Sequence, residues 1–294
     1  MSNQVYTQRF NFYLYHQVTI SNLMIQIKNE PLSVDLVRHL VLNSIRSYRS
    51  KFCNEFGEVI LCYDDKHYWR RDLFPYYKSN RKKDRTESSL DWNELFETLN
   101  LIRDELKETF PYKVLQVDGA EADDIIATLV SVVSKTPKLF EKILILSGDK
   151  DFIQLQSYDN VKQYSPTLKK FINGIDPNEY KIEHIFRGDR GDGIPNILSP
   201  DNTFAEGLRQ KPLGKNKINE WKQVGTWPID DWNDELKRNY QRNSKLIDLN
   251  MIPDTIKDTI YNSWKKECDT SRSKILPYFM KHRVRELTER LGDF

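Results

Sequence analysis

One junction constrains the fold of this chain more than any other, because it places three carboxylates where a strand turns into a helix. The apolar run 112–117 is typical of a buried strand, and the apolar-periodic run 125–133 is typical of a helix. Glu121, Asp123 and Asp124 lie between them. Acids in the first turn stabilise a helix dipole, but three in four positions also repel one another. The junction alone therefore leaves two alternatives, helix capping and a bound cation.

Acidic residues recur at similar points elsewhere in the sequence. Asp64 follows the apolar run 59–63, and Asp149 and Asp151 follow the run 143–146. The simpler alternative is that Asp149 is the N-cap of the helix that follows and that Asp151 is an acid in its first turn. Because the carboxyl ends of parallel strands lie side by side, we expect these acids to converge. Converging carboxylates favour Mg²⁺ or Mn²⁺ between them.

The order of predicted elements indicates an α/β fold with a mainly parallel central sheet flanked by helices. The predicted strands are 9–16, 58–63, 112–117, 142–147 and an edge strand at 161–165, and the predicted helices between them are 33–52, 91–110, 125–134 and 151–156. Strands disappear after about residue 178, where the candidate helices are 182–186, 216–224, 231–246, 253–265 and 274–291. We therefore expect an α/β domain over 1–177 and a helical region over 178–294.

Two further segments carry binding chemistry. Residues 66–85 mix aromatic and basic side chains, which suits single-stranded nucleic acid, although a solvated basic face is the plainer alternative. Residues 188–196 contain Gly188, Gly191 and Gly193 with Asp189 and Asp192. Such a turn brings backbone N–H groups close to a phosphate, or it is only a tight helix–helix turn.

Bulk properties narrow the class of protein. The 294 residues carry a net charge of +2 and 30% charged residues, as expected for a soluble globular protein. No apolar run approaches the roughly 20 residues that span a bilayer, and the N-terminus lacks a signal-peptide pattern. Three cysteines without metal-ligand spacing indicate reduced thiols in a cytoplasm, the host cytoplasm for a phage-encoded chain. The five scattered histidines form no zinc or nucleophile pattern, and we expect solvated or core roles for them.

Taken together, these motifs resemble the 5′-nuclease superfamily of flap endonucleases and 5′→3′ exonucleases, including the ribonucleases H of T-even phages. The stretches that carry the resemblance are 36–44 (LVRHLVLNS), 68–72 (YWRRD), 76–81 (YYKSNR), 121–124 (EADD), 147–155 (SGDKDFIQL), 161–166 (VKQYSP) and the turn at 188–192. The resemblance implies a PIN-like nuclease core with a helical arch at about 66–110 and a helix–turn–helix element in the C-terminal region.

The resemblance also implies a set of site residues around two divalent ions, Mg²⁺ or alternatively Mn²⁺. The implied metal residues are Asp64, Asp123 and Asp149 for the tighter ion, with Glu121 acting largely through water, and Asp151 and Asp192 for the second, with Asp124 and Asp189 nearby. Lys78 and Arg81 would grip the scissile phosphate as catalytic cations. The implied nucleic-acid contacts are Arg70, Arg71, Tyr76, Tyr77, Lys82, Lys83, Gly188, Gly191 and Gly193.

The implied function is cleavage of RNA–DNA hybrids and of duplex DNA with a 5′ end or flap, for RNA primer removal in replication by a monomeric enzyme. One departure matters, because family members carry a metal-binding Asp at the end of the first strand, whereas residues 1–29 contain no acid and about Leu14 stands there. A catalytically impaired branched-DNA binding protein on the same fold is therefore the alternative. A toxin-type RNA-cleaving nuclease fits poorly, because such chains are shorter and lack the arch.

The C-terminal segment 283–294 has two alternative roles. The resemblance suggests a docking tail for a sliding clamp or a single-strand binding protein. Leu287, Leu291 and Phe294 could equally pack on the body of the protein.

Overall fold

The computed structural model describes residues 33–81, 91–137, 139, 141–268 and 271–294. The predicted first strand, Leu14 and the two lysines Lys82 and Lys83 lie outside these described residues. The first helix, α1 (Val34–Phe56), begins after Ser33, whose Oγ accepts a hydrogen bond from the N–H of Leu36 at 3.2 Å. This N-cap satisfies one of the free N–H groups at the helix start.

The strands confirm the predicted α/β class with mainly parallel pairing, but among the described residues they form a two-stranded and a three-stranded sheet and not one central sheet. Strand β1 (Ile60–Tyr63) pairs parallel with β2 (Lys113–Gln116), and β3 (Ile143–Leu146) pairs parallel with β4 (Val161–Ser165). The short strand β5 (Lys170–Ile172) adds antiparallel to β4. The prediction of β4 as an edge strand was therefore wrong, because β3 and β5 flank it. Three residues beginning with lysine carry too little hydrophobic alternation to reveal β5 in the sequence.

Helices cover both faces of β1 and β3, and the strand residues alternate between them. Leu61 and Leu144 belong to one buried cluster with α1 and α3 (Trp92–Thr109). Ile60 and Ile143 belong to the other cluster, with α4 (Ala122–Lys135) and α8 (Asp254–Lys265). Burial on both faces explains why these strands read as continuous apolar runs. The carboxyl ends of the strands are left free to carry polar side chains.

Beyond β5, the described residues form helices and turns. Helices α5 (Pro177–Arg187), α6 (Lys215–Val224) and α7 (Asp234–Ile247) precede α8, with a short 3₁₀ helix at Leu249–Met251. Another 3₁₀ helix, Lys150–Ser157, packs against α5 and so joins the region after β5 to the α/β core. The remaining short helix, α2 (Trp69–Leu73), lies between β1 and α3. The division at residue 177 stays a prediction.

The predicted single helix over 274–291 is broken in the structure. It consists of α9 (Ile275–Lys281), α10 (Arg285–Thr288) and a 3₁₀ turn at Leu291–Asp293. Arg283 between the two helices has a φ of 54°, a left-handed conformation that ends a right-handed helix. Periodicity alone could not reveal this break, because the apolar spacing continues across it.

The C-terminal end is packed on the body of the protein. The side chain of Phe294 is 0% exposed, and its ring lies 5.2 Å from that of Phe279 and 5.7 Å from that of Phe110, centroid to centroid. Arg46 on α1 pairs with Asp293 at 2.9 Å. The structure thus shows the packing alternative for this segment, and the docking role stays a prediction. Among the described residues, no helix has the length and apolar character that crossing a membrane requires.

Candidate active site

The loops after β1 and β2 are tied together by an acidic side chain. Asp64 follows β1, and its Oδ1 accepts a hydrogen bond from the N–H of Ala122 at 2.8 Å, at the first residue of α4. The neighbouring Asp65 accepts from the N–H of Gly119 at 3.0 Å. Asp65 therefore fixes the loop before α4, whereas the second carboxylate oxygen of Asp64 has no hydrogen bond to the described residues and faces no such competitor for a cation.

The acidic junction at the start of α4 contains both of the alternatives that the sequence left open. Glu121 is the N-cap and forms a capping box with Asp124, whose Oδ2 accepts from the N–H of Glu121 at 2.9 Å. The Asp124 side chain is 0% exposed and also accepts from Trp69 Nε1 at 3.1 Å and Arg70 Nη1 at 2.7 Å. Asp124 is thus a structural acid in this arrangement, surrounded by donors.

Asp123 lies between these two residues and has a different environment. Burial raises the pKa of Asp123 well above its ordinary value, and the nearby carboxylates of Asp149 and Asp64 raise it further. Each of these acids comes from a different strand end, so the structure brings together the three side chains expected at the tighter cation. Such a group of carboxylates is stabilised by a positive charge between them.

A second acidic group lies beside the first and includes a histidine. Asp149 caps the 3₁₀ helix that follows β3, and its Oδ1 accepts from the N–H of Asp151 at 3.0 Å. His184 on α5 lies with Nδ1 3.2 Å from Asp151 Oδ1 and Nε2 3.3 Å from Asp189 Oδ2. Burial disfavours the imidazolium, but the pairing with both carboxylates outweighs it and raises the pKa of His184 to about 10.

His184 was not among the predicted site residues, because we expected a solvated or core role for it. The available signal was its position one helical turn before Gly188, which places it over the glycine-rich turn that carries Asp189 and Asp192.

The pKa values of the two carboxylates that face His184 shift in opposite directions. Burial outweighs the histidine and raises the pKa of Asp151, whereas the hydrogen bond from His184 outweighs burial and lowers the pKa of Asp189.

Cations line the opposite side of the acidic cluster. Lys78 Nζ donates to Glu121 Oε1 and lies 3.6 Å from Asp192 Oδ2. Arg81 Nη2 donates to Asp192 Oδ1 at 2.6 Å, and the Arg81 side chain is 42% exposed. Burial would lower the pKa of Lys78, but Asp192 and Glu121 outweigh it and raise that pKa. The two cations expected to be catalytic therefore adjoin the expected metal ligands.

The expected nucleic-acid contacts divide into accessible and buried side chains. Arg71 and Tyr76 are exposed. In contrast, Arg70 is 3% exposed and pairs with both Glu121 and Asp124, and its Nε donates to the Leu246 carbonyl at 2.9 Å. Tyr77 is 4% exposed and donates to Asp192 at 2.9 Å. This burial does not fit direct nucleic-acid contacts for Arg70 and Tyr77, because the 66–81 segment folds its aromatic and basic side chains inward as well as outward.

The glycine-rich turn docks against the 76–78 segment. Gly193 has a φ of 72°, and a Cβ there would lie 2.9 Å from the Tyr76 carbonyl oxygen. This close approach allows the N–H of Lys78, itself at a φ of 56°, to donate to the Asp192 carbonyl at 2.8 Å. At Gly191 the restriction is weaker, with a Cβ 3.1 Å from Asp189 Oδ1. The close packing explains why glycine occupies this turn, and phosphate binding by Gly188, Gly191 and Gly193 stays a prediction.

Replacement of Gly188 with alanine should destabilise the protein strongly. Gly188 has a φ of 67°, and a Cβ there would lie 2.3 Å from the Ile194 carbonyl oxygen. Gly207 is a matched control, because it has the same φ of 67° and nothing within 4 Å of its Cβ position. We expect about 1–2 kcal/mol of conformational cost for Gly207→Ala, and roughly 1–3 kcal/mol more for Gly188→Ala from the clash. Urea unfolding measures the free energy of unfolding of both variants. Equal losses of stability would contradict the predicted clash at Gly188.

Comparisons with known proteins agree with this fold and site. The family model described as "5'-3' exonuclease, N-terminal resolvase-like domain" matches residues 8–184, and the one described as "T4 RNase H, C terminal" matches residues 177–294. The chain is 35% identical to the ribonuclease H of Enterobacteria phage T4, over 95% of this chain and 94% of that protein. It is 30% identical to a 5'-3' exonuclease of Buchnera aphidicola subsp. Schizaphis graminum, over 53% of each chain.

A solved structure shares the fold at lower identity. The T5 D15 protein, crystallised with metal ions, superimposes with a TM-score of 0.63 at 18% identity and covers 87% of this chain and 97% of that one. Together with these matches, a strand-end acidic cluster flanked by cations, on an α/β core followed by helices, identifies the chain as a nuclease. The chain belongs to the 5'-3' exonuclease family, the group that includes ribonuclease H and the flap endonucleases.

Proposed function

We propose that this chain is a metal-dependent 5′→3′ nuclease that cleaves RNA–DNA hybrids and duplex DNA with a 5′ end or flap, and that it removes RNA primers in replication as a monomer. The observation that carries the proposal is the meeting of acids from three strand ends beside Lys78 and Arg81. The relatives named above support the same chemistry, because one is a ribonuclease H and another a 5'-3' exonuclease.

The donor set fits divalent cations with oxygen ligands, Mg²⁺ first and Mn²⁺ as the alternative. Asp64, Asp123 and Asp149 would hold one ion, and burial and then the nearby carboxylates raise the pKa of Asp123, an environment that such an ion would stabilise. Asp151, Asp189 and Asp192 would hold the second. When bound, two such ions make an attacking water more acidic and stabilise the charge on the leaving 3′ oxygen.

The side chains of this chain would bind and orient the phosphate. Lys78 and Arg81 both form ion pairs with Asp192, which is one of the expected ligands of the second ion. Charge-assisted hydrogen bonds from an ammonium and a guanidinium to a phosphate are of the same kind as those now made to the carboxylate. Since Arg81 is 42% exposed, it can exchange Asp192 for a phosphate oxygen without crossing the core. Lys78 is more buried and would hold the phosphate from below, within reach of Glu121.

Accessible residues of the same segment would hold the strand that enters the site. Tyr76 is 37% exposed and can stack on the terminal base, and Arg71 is exposed and can pair with a backbone phosphate. Arg70 and Tyr77 would act indirectly, because they orient Glu121 and Asp192 from inside. Lys82 and Lys83 would continue the basic wall.

A second candidate function rests on the absence of acids from residues 1–29, where family members carry a metal-binding Asp and this chain has about Leu14. Loss of one ligand would weaken cation affinity while leaving the nucleic-acid surface intact. The protein would then bind branched DNA with little cleavage.

One experiment separates the two functions. A 5′-labelled flapped duplex and a 5′-labelled RNA–DNA hybrid are incubated with Mg²⁺ or with EDTA, and binding of the same substrates is titrated in Ca²⁺. Short 5′ products that require Mg²⁺, with plain single-stranded RNA cut more slowly, support the nuclease. Tight binding without cleavage sinks the nuclease for this chain, and recovery of cleavage in Leu14→Asp would attribute the loss to that position.

A further inference from the structure

A mixed nitrogen and oxygen site lies at the mouth of the acidic cluster. In the part of the chain that the structure describes, one set of three ligand-type side chains has its ligand atoms within 4.8 Å of one another, and it consists of Asp151, His184 and Asp189. The three residues come from three elements, namely the 3₁₀ helix after β3, helix α5 and the glycine-rich turn. The fold thus brings Asp151 to His184 and Asp189, which are close to each other in the sequence.

The histidine is held in place by its surroundings. The His184 side chain is 12% exposed, and its ring packs at 5.5 Å from that of Tyr180 on the preceding turn of α5. One ring nitrogen faces Asp151 and the other faces Asp189. A histidine that binds a metal normally keeps its second nitrogen on a carboxylate, which fixes the ring. In His184 each ring nitrogen faces a carboxylate, so one of these contacts could fix the ring while the other nitrogen and its carboxylate share a cation. The second oxygen of Asp189 accepts a hydrogen bond from the N–H of Asp192 at 3.1 Å, which orients that carboxylate.

An approach path for an ion is present on the same side. A pocket of about 540 Å³ opens onto the three residues. Its other lining residues include Asp149, Ser165 and Tyr180. Three carboxylates outnumber the one lysine of this lining, Lys150, and would attract cations, whereas the basic wall of Lys78 and Arg81 lies on the Asp192 side of the cluster. The site therefore has ligands, a supporting contact and an entry.

We propose that His184 is a nitrogen ligand of the second cation, together with Asp151 and Asp189, and that this site binds a transition-metal ion such as Mn²⁺ or Co²⁺ more tightly than Mg²⁺. The proposal rests on the proposed function for the presence of a second cation. Imidazole nitrogen favours first-row transition metals, whereas Mg²⁺ prefers oxygen ligands and retained waters. The tighter site, with three carboxylates, has no such preference built into it. The nuclease would then use two different classes of ion at its two sites.

The test measures coordination directly, on the full untagged chain. Electron spin echo spectra of bound Mn²⁺ should show coupling to a ¹⁴N nucleus in the wild type and none in His184→Gln. Calorimetric titration should show the affinity of one Co²⁺ site reduced about 10- to 100-fold in His184→Gln, the range known for residues around a metal, with Mg²⁺ affinity changed much less. His282→Gln is the matched control, because His282 also packs on a tyrosine, at 4.5 Å from Tyr278, and lies 3.9 Å from the carboxylate of Glu105.

Each outcome decides the proposal. Absence of ¹⁴N coupling in the wild type, its persistence in His184→Gln, or equal losses for Co²⁺ and Mg²⁺ would overturn the nitrogen ligand and leave His184 as a residue that only ties α5 to the turn. If His184→Gln fails to fold, the proposal is decided by comparing the ¹⁴N coupling of bound Mn²⁺ in the wild type with that in His184→Ala. Cleavage of the flapped duplex by the wild type is scored separately. An inactive wild type with a ¹⁴N-coupled ion would remove the proposed function but keep the site.

Discussion

Replacing Asp123 with asparagine will lower Mg²⁺-supported cleavage by at least about 10²-fold, because even the residues that only support metal ligands contribute 10- to 100-fold. The same change will raise the stability of the metal-free protein at pH 8. Asp123 lies among Asp149, Asp64 and Glu121, and burial together with these carboxylates raises its pKa. Function and stability therefore oppose each other at this position, as expected where like charges are held ready for a cation.

The direction of the pH effect follows from linkage. The folded protein binds the Asp123 proton more tightly than the unfolded chain, whose carboxyl has the ordinary pKa of 3.8. As pH rises from 3.8 through the higher folded-state pKa, the folded state loses stability relative to the unfolded state. The Asp123→Asn variant does not lose this stability, because asparagine does not titrate. The advantage of Asp123→Asn should therefore be largest at pH 8 in EDTA and should shrink as the pH falls.

Asp118→Asn is the matched control for this prediction. Asp118 lies in the same loop before α4, is exposed, and loses the same charge on substitution. Urea unfolding in EDTA across pH 5–8 and cleavage of the flapped duplex in Mg²⁺ give the two readouts. Asp123→Asn with wild-type cleavage, or with lower stability than Asp118→Asn at pH 8, would contradict the placement of Asp123 among like-charged carboxylates.

The parts of the site that follow from strand ends could be predicted from the sequence. Parallel pairing of β1 with β2 places Asp64 at the same edge as the start of α4, as the strand pattern predicts. Strand β3 pairs with β4 in a separate sheet, so the approach of Asp149 to Asp123 depends also on how the two sheets are arranged. Within the 121–124 cluster, however, the sequence could not separate capping from metal binding. The structure assigns Glu121 and Asp124 to a capping box, and Asp123 takes no part in it.

Residues placed by helix packing were not predictable in the same way. His184 reaches Asp151 only because α5 packs on the 3₁₀ helix after β3, which is a long-range contact without a local signature. The same reason applies to Arg70 and Arg71, which are adjacent in sequence and identical in chemistry. One points into the core and the other into solvent because α2 lies on the acidic start of α4. A basic run shows that cations are present, but not which of them is buried.

Arg70→Met should cost about 3–5 kcal/mol of stability, the range for breaking a buried ion pair by removing one partner. It would leave the fully buried Asp124 and the 2% exposed Glu121 without the guanidinium that now bridges them, and the Leu246 carbonyl without its donor. A domain is typically stable by only 5–15 kcal/mol, so this loss would be a large share of the total. Methionine keeps the length of the side chain, so the lost charge and hydrogen bonds dominate the effect.

Arg71→Met is the neighbouring control and separates structure from nucleic-acid binding. Arg71 is exposed, and its guanidinium lies 4.7 Å from the centre of the Tyr68 ring. We expect its stability to change by less than about 0.5 kcal/mol, as for most surface changes, and its binding of a flapped duplex in Ca²⁺ to lose roughly one unit of salt slope. Urea unfolding and salt-dependent titration of both variants provide the comparison. A stable Arg70→Met protein with a reduced salt slope would show instead that Arg70 leaves the core to contact a phosphate, which would require α2 to separate from the start of α4 when substrate binds.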